Sequence, residues 1–466
     1  MLLGSNTRRT TPYLPTRITA CAIIFCALHL TLTYAHASDS TSKDFAFEQW
    51  SSPLPSLQEI APPLNKLALL GKNKIVVVHG NSSPYRENQS DKLLYSLPDE
   101  DIRLTYAFTV INASEKRVRN VLMDFDQYQR TMPHITKSKL LAQQDNHWLG
   151  EYRLIFQMPM LTFEPDVKIQ HTLLSNGDLI ERRIAGDIDY STARWQVISL
   201  SATRSLLVQT SWADIGSVSW LMRLVFSAQP DLHRLSPLTA AALTIQSIKE
   251  RVENKPFSYR HTVALSDTLS SARLPYLPTM SSQQQEVLSS LTHIGSVNII
   301  SPVRWFTQNR KTFSLQPILS AATIPQEFST LKSKATNIRQ YPERMDVISD
   351  ITEVVDDTQQ HQSQWELGFD FSVFRFAIDF GISGEWKNNQ NSLTFISTSG
   401  DFDPLLGQIQ WQPSPNGTLT TINLAHNIKD DTGFILRSIK NIPYSQLFAG
   451  LYVGTMLIEG QQQLTH

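Results

Sequence analysis

The sequence predicts an α+β protein made of two similar units, each a curved antiparallel sheet wrapped on one long helix. In each half of the chain, short β-branched or aromatic runs alternate with turn residues, and a long apolar-striped helix follows them. The tetrapeptide Gly-Asp-x-Asp at Gly186–Asp189 recurs at Gly400–Asp403, 214 positions later (400 − 186). A repeated motif within a repeated order of elements predicts an internal duplication of one structural unit.

Aromatic and apolar residues of the two halves keep almost the same offset. Tyr128 precedes Tyr341 by 213 positions (341 − 128). The same offset relates six further pairs: Met132 and Met345, Ile135 and Ile348, Tyr152 and Trp365, Leu154 and Leu367, Phe156 and Phe369, Phe163 and Phe376. Chance similarity of two β-rich stretches does not explain a shared register, so the sequence predicts a first domain at 64–254, a linker at 255–286 and a second domain at 287–466.

Cap, turn and helix-stop residues set the predicted boundaries of the helices and strands in the first unit. A helix at Leu64–Leu70 stops at Gly71, and Ser114 is a good N-cap for the next helix. Strands are predicted at Lys74–Val78, Ile102–Ile111, Ser138–Gln143, His147–Gln157, Leu161–Ser175, Asp178–Gly186, Ala193–Ser199 and Leu206–Asp214. The closing helix is predicted to begin with Ser236 as N-cap and Pro237 at its first position, and a second closing helix to begin near Pro443.

The first 37 residues read as a signal peptide. Arg8, Arg9 and Arg17 precede a mostly apolar run at Ile18–Tyr34, and Ala35–Ala37 is a small-residue cleavage site. Cleavage before Ser38 predicts a periplasmic protein, with secretion as the alternative. A membrane anchor is less well supported because the apolar run is short and interrupted. The stretch 38–63 is polar and contains several prolines, so it is interpreted as a leader arm before the first domain.

Composition excludes several kinds of chemistry. Both cysteines, Cys21 and Cys26, fall in the predicted signal peptide, so the mature chain can form no disulfide and has no thiolate nucleophile. The formal net charge is −1, which provides no basic field for nucleic acid. No cofactor or nucleic-acid partner is expected.

The first unit carries a family resemblance. Ala113–Glu115, the segment Asp124–Tyr128 and the pair Met132-Pro133 resemble the start of a START-like (SRPBCC) domain, in its polyketide-cyclase and coenzyme-Q-binding branch. The resemblance covers roughly residues 100–254 and 312–460, and it implies two helix-grip domains with apolar cavities. The second copy departs from the pattern, since Asn337 replaces Asp124. It is therefore expected to have diverged or lost ligand binding.

The expected ligand-binding residues are mostly aromatic. They are Tyr128, Met132, Phe156, Phe163, Arg183, Trp195, Trp220, Tyr341, Phe369 and Phe376. Arg183 could hold an anionic head group or lie on a solvated strand edge. Trp220 begins an apolar segment that could form a lid or touch a membrane transiently, or could simply pack in the core.

No catalytic residue or metal ligand is predicted. Asp187 and Asp189 could serve as acid–base groups or metal ligands, but capping of backbone N–H groups explains them better. No histidine completes a metal or nucleophile arrangement around them. Gly450 and Gly454, inside the last helix, indicate either close backbone packing or space left for a ligand.

Three functions remain open from the sequence. The first is a non-enzymatic binding protein that holds an apolar small molecule, such as a lipid, an isoprenoid quinone or a polyketide-like molecule, for transport. The second is a cyclase- or aromatase-like enzyme acting in the same cavity, which would need a convergent acid–base pair. The third is a cavity-free assembly module of the cell envelope.

Overall fold

The computed structural model describes residues 47, 54–55, 57, 62–81, 103–158, 161–264, 280–308, 311–345, 347–356, 360–370, 375–387, 391–442 and 444–463. The predicted signal peptide and most of the predicted leader arm lie outside these residues.

Twenty-one strands are formed in the described part of the chain. Those of the first half are β1 Ile75–Gly80, β2 Thr105–Ile111, β3 Ile135–Gln144, β4 His147–Leu154, β5 Phe156–Met158, β6 Leu161–Phe163, β7 Asp166–Leu173, β8 Leu179–Gly186, β9 Ser191–Ser201 and β10 Arg204–Ala213. The others are β11 Ser258–Ala264, β12 Gly295–Ile300, β13 Val303–Gln308, β14 Lys311–Leu315, β15 Ile318–Ile324, β16 Ile348–Asp356, β17 Gln360–Asp370, β18 Arg375–Lys387, β19 Ser392–Gly400, β20 Phe402–Ser414 and β21 Gly417–Ile428.

The helices also repeat between the halves. The first half has α1 Leu64–Gly71, α2 Glu115–Leu122, α3 Tyr128–Thr131, α4 Trp220–Ala228 and α5 Pro230–Glu253. The second half has α6 Ser282–Leu291, α7 Phe328–Thr336, α8 Phe434–Asn441 and α9 Ser445–Gln463. Short 3-10 turns lie at Phe125–Gln127, Ile215–Val218 and Ile338–Gln340.

Sixteen of the described strands form one sheet that runs through both halves. Its order is β16-β17-β18-β19-β20-β21-β15-β12-β1-β2-β10-β9-β8-β7-β4-β3. At the joint, β1 and β12 pair antiparallel, with Ile75 opposite Ile300 and Gly80 opposite Gly295. Counted outward from this joint, the two halves add their strands in the same order, so the repeated motif marks a repeated topology.

The sheet is covered on both faces at its centre. Helices α5 and α9 pack on one face, and each contacts the strands nearest the joint in its own half. Helices α1 and α6 contact the sheet and each other, and their leucines share a second core with Val76, Val78 and Phe108. The continuous apolar run of β1 fits this position, because a strand buried on both faces cannot alternate with polar residues.

Several elements differ from the sequence-based expectation: the predicted strands His147–Gln157 and Leu161–Ser175 are each divided in two, and α6 begins at Ser282, inside the predicted linker. Helix α5 begins at Pro230, not after Ser236, and Pro237 lies inside it. Ser236 acts within the helix, where its hydroxyl donates to the carbonyl oxygen of Leu232, a bond that competes with its use as a cap. The predicted linker also contains a strand, β11, which pairs in parallel with β13 and joins β14 in a small separate sheet. No helix among the described residues is both long and apolar enough to cross a membrane.

Candidate ligand cavity in the second half

The repeated tetrapeptide makes hydrogen bonds with the backbone of the neighbouring strand. The N–H of Asp187 donates to the carbonyl oxygen of Asp166 (2.8 Å), and the N–H of Asp166 donates to Oδ2 of Asp187 (2.9 Å). The second copy repeats this exchange between Asp401 and Asp379, at 2.7 and 3.0 Å. No group of metal-binding side chains that could hold an ion occurs among the described residues. The tetrapeptide is therefore a strand-end motif, as the structural interpretation expected.

Aromatic rings fill the interior of the first half. The hydroxyl of Tyr128 donates to the carbonyl oxygen of Leu122 (2.5 Å), and its ring stacks on Tyr152 at a centroid distance of 5.6 Å. The hydroxyl of Tyr152 lies 2.7 Å from Nε2 of His171, whose ring stacks on Phe125 at 4.0 Å. These rings occupy the space between the sheet and its helices.

At one position of the sheet, the second half has a glycine where the first half has a buried histidine. In the first half Trp148 pairs with His171 across β4 and β7, and the equivalent pair across β17 and β18 is His361 with Gly384. Gly384 belongs to an alternating row of β18 whose other members line a cavity: Ile378, Phe380, Ile382 and Trp386. A glycine thus stands where an imidazole fills the first half.

A cavity of about 400 Å³ lies in the second half, between the sheet and helices α8 and α9. The sheet contributes many large rings to its wall: Trp365, Phe369, Phe380, Trp386, Phe395, Phe402 and Trp411. The first half also reaches the cavity, through Pro133, His134, Ile155, Phe156, Gln157, Phe226 and the face of α5 that carries Leu232, Ser236, Thr239, Ala240 and Leu243. No Asp, Glu, Lys or Arg is among the described residues that line it.

The few polar groups of the wall fall into two classes. Some have partners in the protein: Nε1 of Trp411 donates to Oε1 of Gln461 (3.1 Å), and the hydroxyl of Tyr341 donates to the carbonyl oxygen of Ala335 (2.6 Å). Others have none among the described residues, namely Nε2 of His426, the hydroxyl of Tyr452 and Nδ1 of His134. The side chains of His426 and Tyr452 are buried, and His134 is half-buried.

Burial keeps two histidines of the cavity wall, His134 and His426, uncharged. Burial lowers the pKa of His426 to about 4, and it lowers the pKa of His134 to about 4 as well. Nε2 of His134 lies 3.4 Å from Oγ1 of Thr244 on α5. Burial also raises the pKa of Tyr452, with a further contribution from the charge of Asp231. At neutral pH these three side chains are therefore neutral hydrogen-bonding groups.

Three of the residues predicted to bind a ligand line this cavity: Phe156, Tyr341 and Phe369. The structure places three others, Tyr128, Met132 and Trp195, in the core of the first half.

The remaining four lie elsewhere. Phe163 pairs with Phe156 in the β5–β6 hairpin. Arg183 is half-buried on β8, which lies inside the sheet between β7 and β9, and its Nη2 donates to the carbonyl oxygen of Gly186 (2.9 Å). Trp220 is 66% exposed at the start of α4, so it does not pack in the core. Strand β18 contains Phe376, but its side chain is outside the described residues.

The position of the cavity bears on one expectation. The second unit was expected to have diverged or lost ligand binding, and the described cavity lies largely in that half. Sequence reasoning weighed the departure of Asn337 from the family pattern and missed this cavity. It also missed Tyr452 and His426, because no motif marks a single buried polar residue in an apolar helix or strand.

No family model matches the chain, and no curated protein matches it either. Among solved structures, TTHA0849 from Thermus thermophilus is 17% identical, with 32% of this chain and 97% of that chain covered and a TM-score of 0.27. The di-domain ARO/CYC StfQ from the steffimycin biosynthetic pathway is 7% identical, with 76% and 98% covered and a TM-score of 0.24. A STAR-related lipid transfer protein from Xanthomonas axonopodis is 14% identical, with 34% and 89% covered and a TM-score of 0.27. At these values the matches carry no argument about ligand or activity.

Proposed function

We propose that this chain, with its two START-like units, is a binding protein that holds a neutral, apolar small molecule in the cavity of its second half. One observation carries the proposal: a cavity of about 400 Å³ walled by aromatic and aliphatic side chains, with no charged residue among those described. Small-molecule sites typically have volumes of about 300–1,000 Å³ and a mostly apolar wall with a few polar groups.

The physical basis is desolvation. Removal of apolar ligand surface from water contributes roughly 25 cal/mol per Å². A charged group would lose its hydration in this wall without gaining an ion partner, so the site disfavours carboxylates and phosphates. A neutral lipid, an isoprenoid quinone or a polyketide-like molecule has the required chemistry.

A helix-grip arrangement supports this use of the second half. Helix α9 contacts β12, β15 and β21, and α8 packs beside it. In this proposal α9 is the grip helix, and the sheet curves around the ligand. The first half closes part of the wall with α5, so both units contribute residues to this site.

Export belongs to the proposal as well. The signal-peptide pattern at residues 1–37 supports transport of the mature chain to the periplasm, where an apolar molecule needs a carrier to cross water. Amino-terminal sequencing of protein from the periplasmic fraction is expected to begin at Ser38. A mature chain that still begins at Met1 would contradict export by cleavage.

The two alternative functions have less support. A cyclase-like enzyme requires an acid–base pair; the described wall contains no carboxylate, and a pKa of about 4 makes two of its histidines, His134 and His426, weak bases at neutral pH. An assembly module without a cavity is at odds with the space beneath α9.

Binding of the apolar fluorophore N-phenyl-1-naphthylamine tests the proposal. The native protein is expected to increase its fluorescence in a saturable way, because the dye leaves water for an apolar wall. Val453→Trp, which adds a ring to the cavity wall on α9, is expected to weaken binding at least tenfold.

Leu69→Trp is the matched control, because Leu69 is 39% exposed on α1, on the other face of the sheet. It should bind the dye like the native protein. Failure of the native protein to bind, or equal binding by Val453→Trp, would reject the cavity as the site.

A further inference from the structure

Three residues of the cavity wall carry a buried polar atom without a partner among the described residues, namely Tyr452, His426 and His134, and His134 still contacts Thr244 through its other ring nitrogen. Tyr341 and Trp411 satisfy their donors within the protein, at 2.6 and 3.1 Å. The hydroxyl of Tyr452 and Nε2 of His426 have no hydrogen-bond partner among the described residues. A buried polar atom without a partner destabilises the folded state by roughly 1–3 kcal/mol, so such atoms usually have a role.

The surroundings of both groups are aromatic. The ring of Tyr452 stacks on Phe448 at a centroid distance of 6.0 Å and lies 6.2 Å from Phe369. The ring of His426 meets Phe402 edge-on at 5.5 Å. These contacts hold the two rings in place but provide neither a donor nor an acceptor, so neither group gains a hydrogen-bond partner from the rings around it.

We infer that the ligand is an uncharged, oxygen-bearing molecule whose carbonyl or hydroxyl oxygens are recognised by Tyr452 and His426. This inference rests on the proposed function and specifies its ligand class. The hydroxyl of Tyr452 donates to a ligand oxygen. The neutral imidazole of His426 donates to an oxygen or accepts from a hydroxyl, according to its tautomer. A pure hydrocarbon would leave both groups unpaired, and an anion would enter a wall without a countercharge.

The matched ligands 1-tetralone and tetralin test the inference, because they share a ring system and differ chiefly in one carbonyl oxygen. Each is titrated as a competitor of N-phenyl-1-naphthylamine on the full chain. The native protein is expected to prefer 1-tetralone. Tyr452→Phe and His426→Phe each remove one polar group, and at least one is expected to lower this preference roughly three- to tenfold, the value of a neutral hydrogen bond.

Tyr128→Phe is the control. It also removes one buried hydroxyl, but that hydroxyl donates to Leu122 in the core of the first half, outside the cavity. It should keep the native preference. The thermal midpoint of ligand-free Tyr452→Phe is expected to equal or exceed the native value, because the variant loses an unpartnered buried hydroxyl, so misfolding cannot account for a lost preference.

The outcomes separate the two ideas. If tetralin and 1-tetralone compete equally with the native protein, or if both cavity variants keep the native preference, the inference about ligand oxygen is overturned and the apolar cavity stands. If neither compound displaces the dye and the dye itself does not bind, the proposed function fails.

Discussion

Two glycines show how single residues define the repeated unit. Gly186 and Gly400 have φ values of +116° and +88°, a region that other residues rarely adopt. A Cβ atom would lie 2.2 Å from the carbonyl oxygen of Asp166 in the first copy and 2.0 Å from that of Asp379 in the second. A glycine is needed because the backbones of two neighbouring strands come close together here. The aspartate that follows it then accepts a hydrogen bond from a backbone N–H of the neighbouring strand.

Gly186→Ala and Gly400→Ala are each expected to lower the free energy of unfolding by about 2–3 kcal/mol, since both the backbone conformation and the contact become unfavourable. Urea denaturation measures the effect. Gly433→Ala is the control, because nothing lies within 4 Å of a Cβ there. If all three variants unfold at the same urea concentration, the strand-end role of the motif is wrong.

At the scale of elements, two glycines let α9 lie close to β15. A Cβ at Gly450 would be 2.6 Å from Cδ1 of Ile318, and one at Gly454 would be 2.3 Å from Oγ of Ser320. The hydroxyl of Ser320 is held by a bond to Oδ1 of Asn298 (2.6 Å). Close packing therefore accounts for Gly454, whereas Gly450 also reaches the cavity wall.

Gly454→Ala is expected to destabilise the protein despite the roughly 1 kcal/mol that alanine gains in helix propensity, because the bonded Ser320 cannot move freely. Gly450→Ala should cost less, since it meets the flexible end of Ile318. Thermal unfolding of the two variants compares them. A higher midpoint for Gly454→Ala than for the native protein would show that the contact relaxes without cost.

The joint between the halves also holds a buried carboxylate. Glu459 on α9 accepts from Oγ of Ser296 (3.0 Å), lies 3.2 Å from Nδ1 of His79 and pairs with Arg234 on α5. Burial alone would raise its pKa, but the bond to His79 and the charge of Arg234 outweigh burial and lower the pKa to about 2. The two long helices and the two central strands are thus linked through one side chain.

Glu459→Gln is expected to lower the free energy of unfolding at pH 7 by about 3 kcal/mol, the equivalent of the depressed pKa. A folded pKa below the unfolded value stabilises the protein above pH ~4.5. That contribution is lost as the pH falls through about 2. The difference between the variant and the native protein should therefore shrink over this interval, measured by urea denaturation at several pH values.

Glu286→Gln is the control for this prediction. Glu286 also joins the two halves, through Lys66 at 2.9 Å, but both side chains are exposed. Exposed ion pairs contribute little, so its loss should hardly change stability. If Glu459→Gln and the native protein differ by the same amount at every pH, the joint does not depend on this ionisation.

On the scale of the whole molecule, the two halves share one sheet and one main core. Strand β1 pairs with β2 on one side and with β12 of the other half on its second side. The largest buried cluster contains Ile75, Ile245 and Ile458, which come from both halves. Separation of the halves would expose the centre of the sheet.

The protein is therefore expected to unfold in a single thermal transition, because neither half can keep its core when the joint opens. Differential scanning calorimetry tests this through the ratio of the calorimetric to the van't Hoff enthalpy, which should be near one. Two resolved transitions would show that the halves are independent domains.

Some features of the site follow from local sequence and others do not. Phe156, Tyr341 and Phe369 were predicted as ligand residues, and they line the cavity. Tyr128 and Tyr341 are equivalent in sequence and make equivalent hydroxyl bonds to a carbonyl six residues earlier. Yet only Tyr341 faces the cavity, because the space around the two tyrosines depends on residues far away in the chain.

The sequence by itself determined the duplication, the α+β class and the strand-end motif, because these depend on local periodicity, turn chemistry and a shared register. Only the tertiary structure decided which half contains the cavity. That outcome depends on which side chains from distant elements meet between the sheet and α9, for example Phe380 and Trp386 of β18 with Phe448 of α9. Whether such side chains fill space or leave it open is a property of three-dimensional packing, which no linear pattern records.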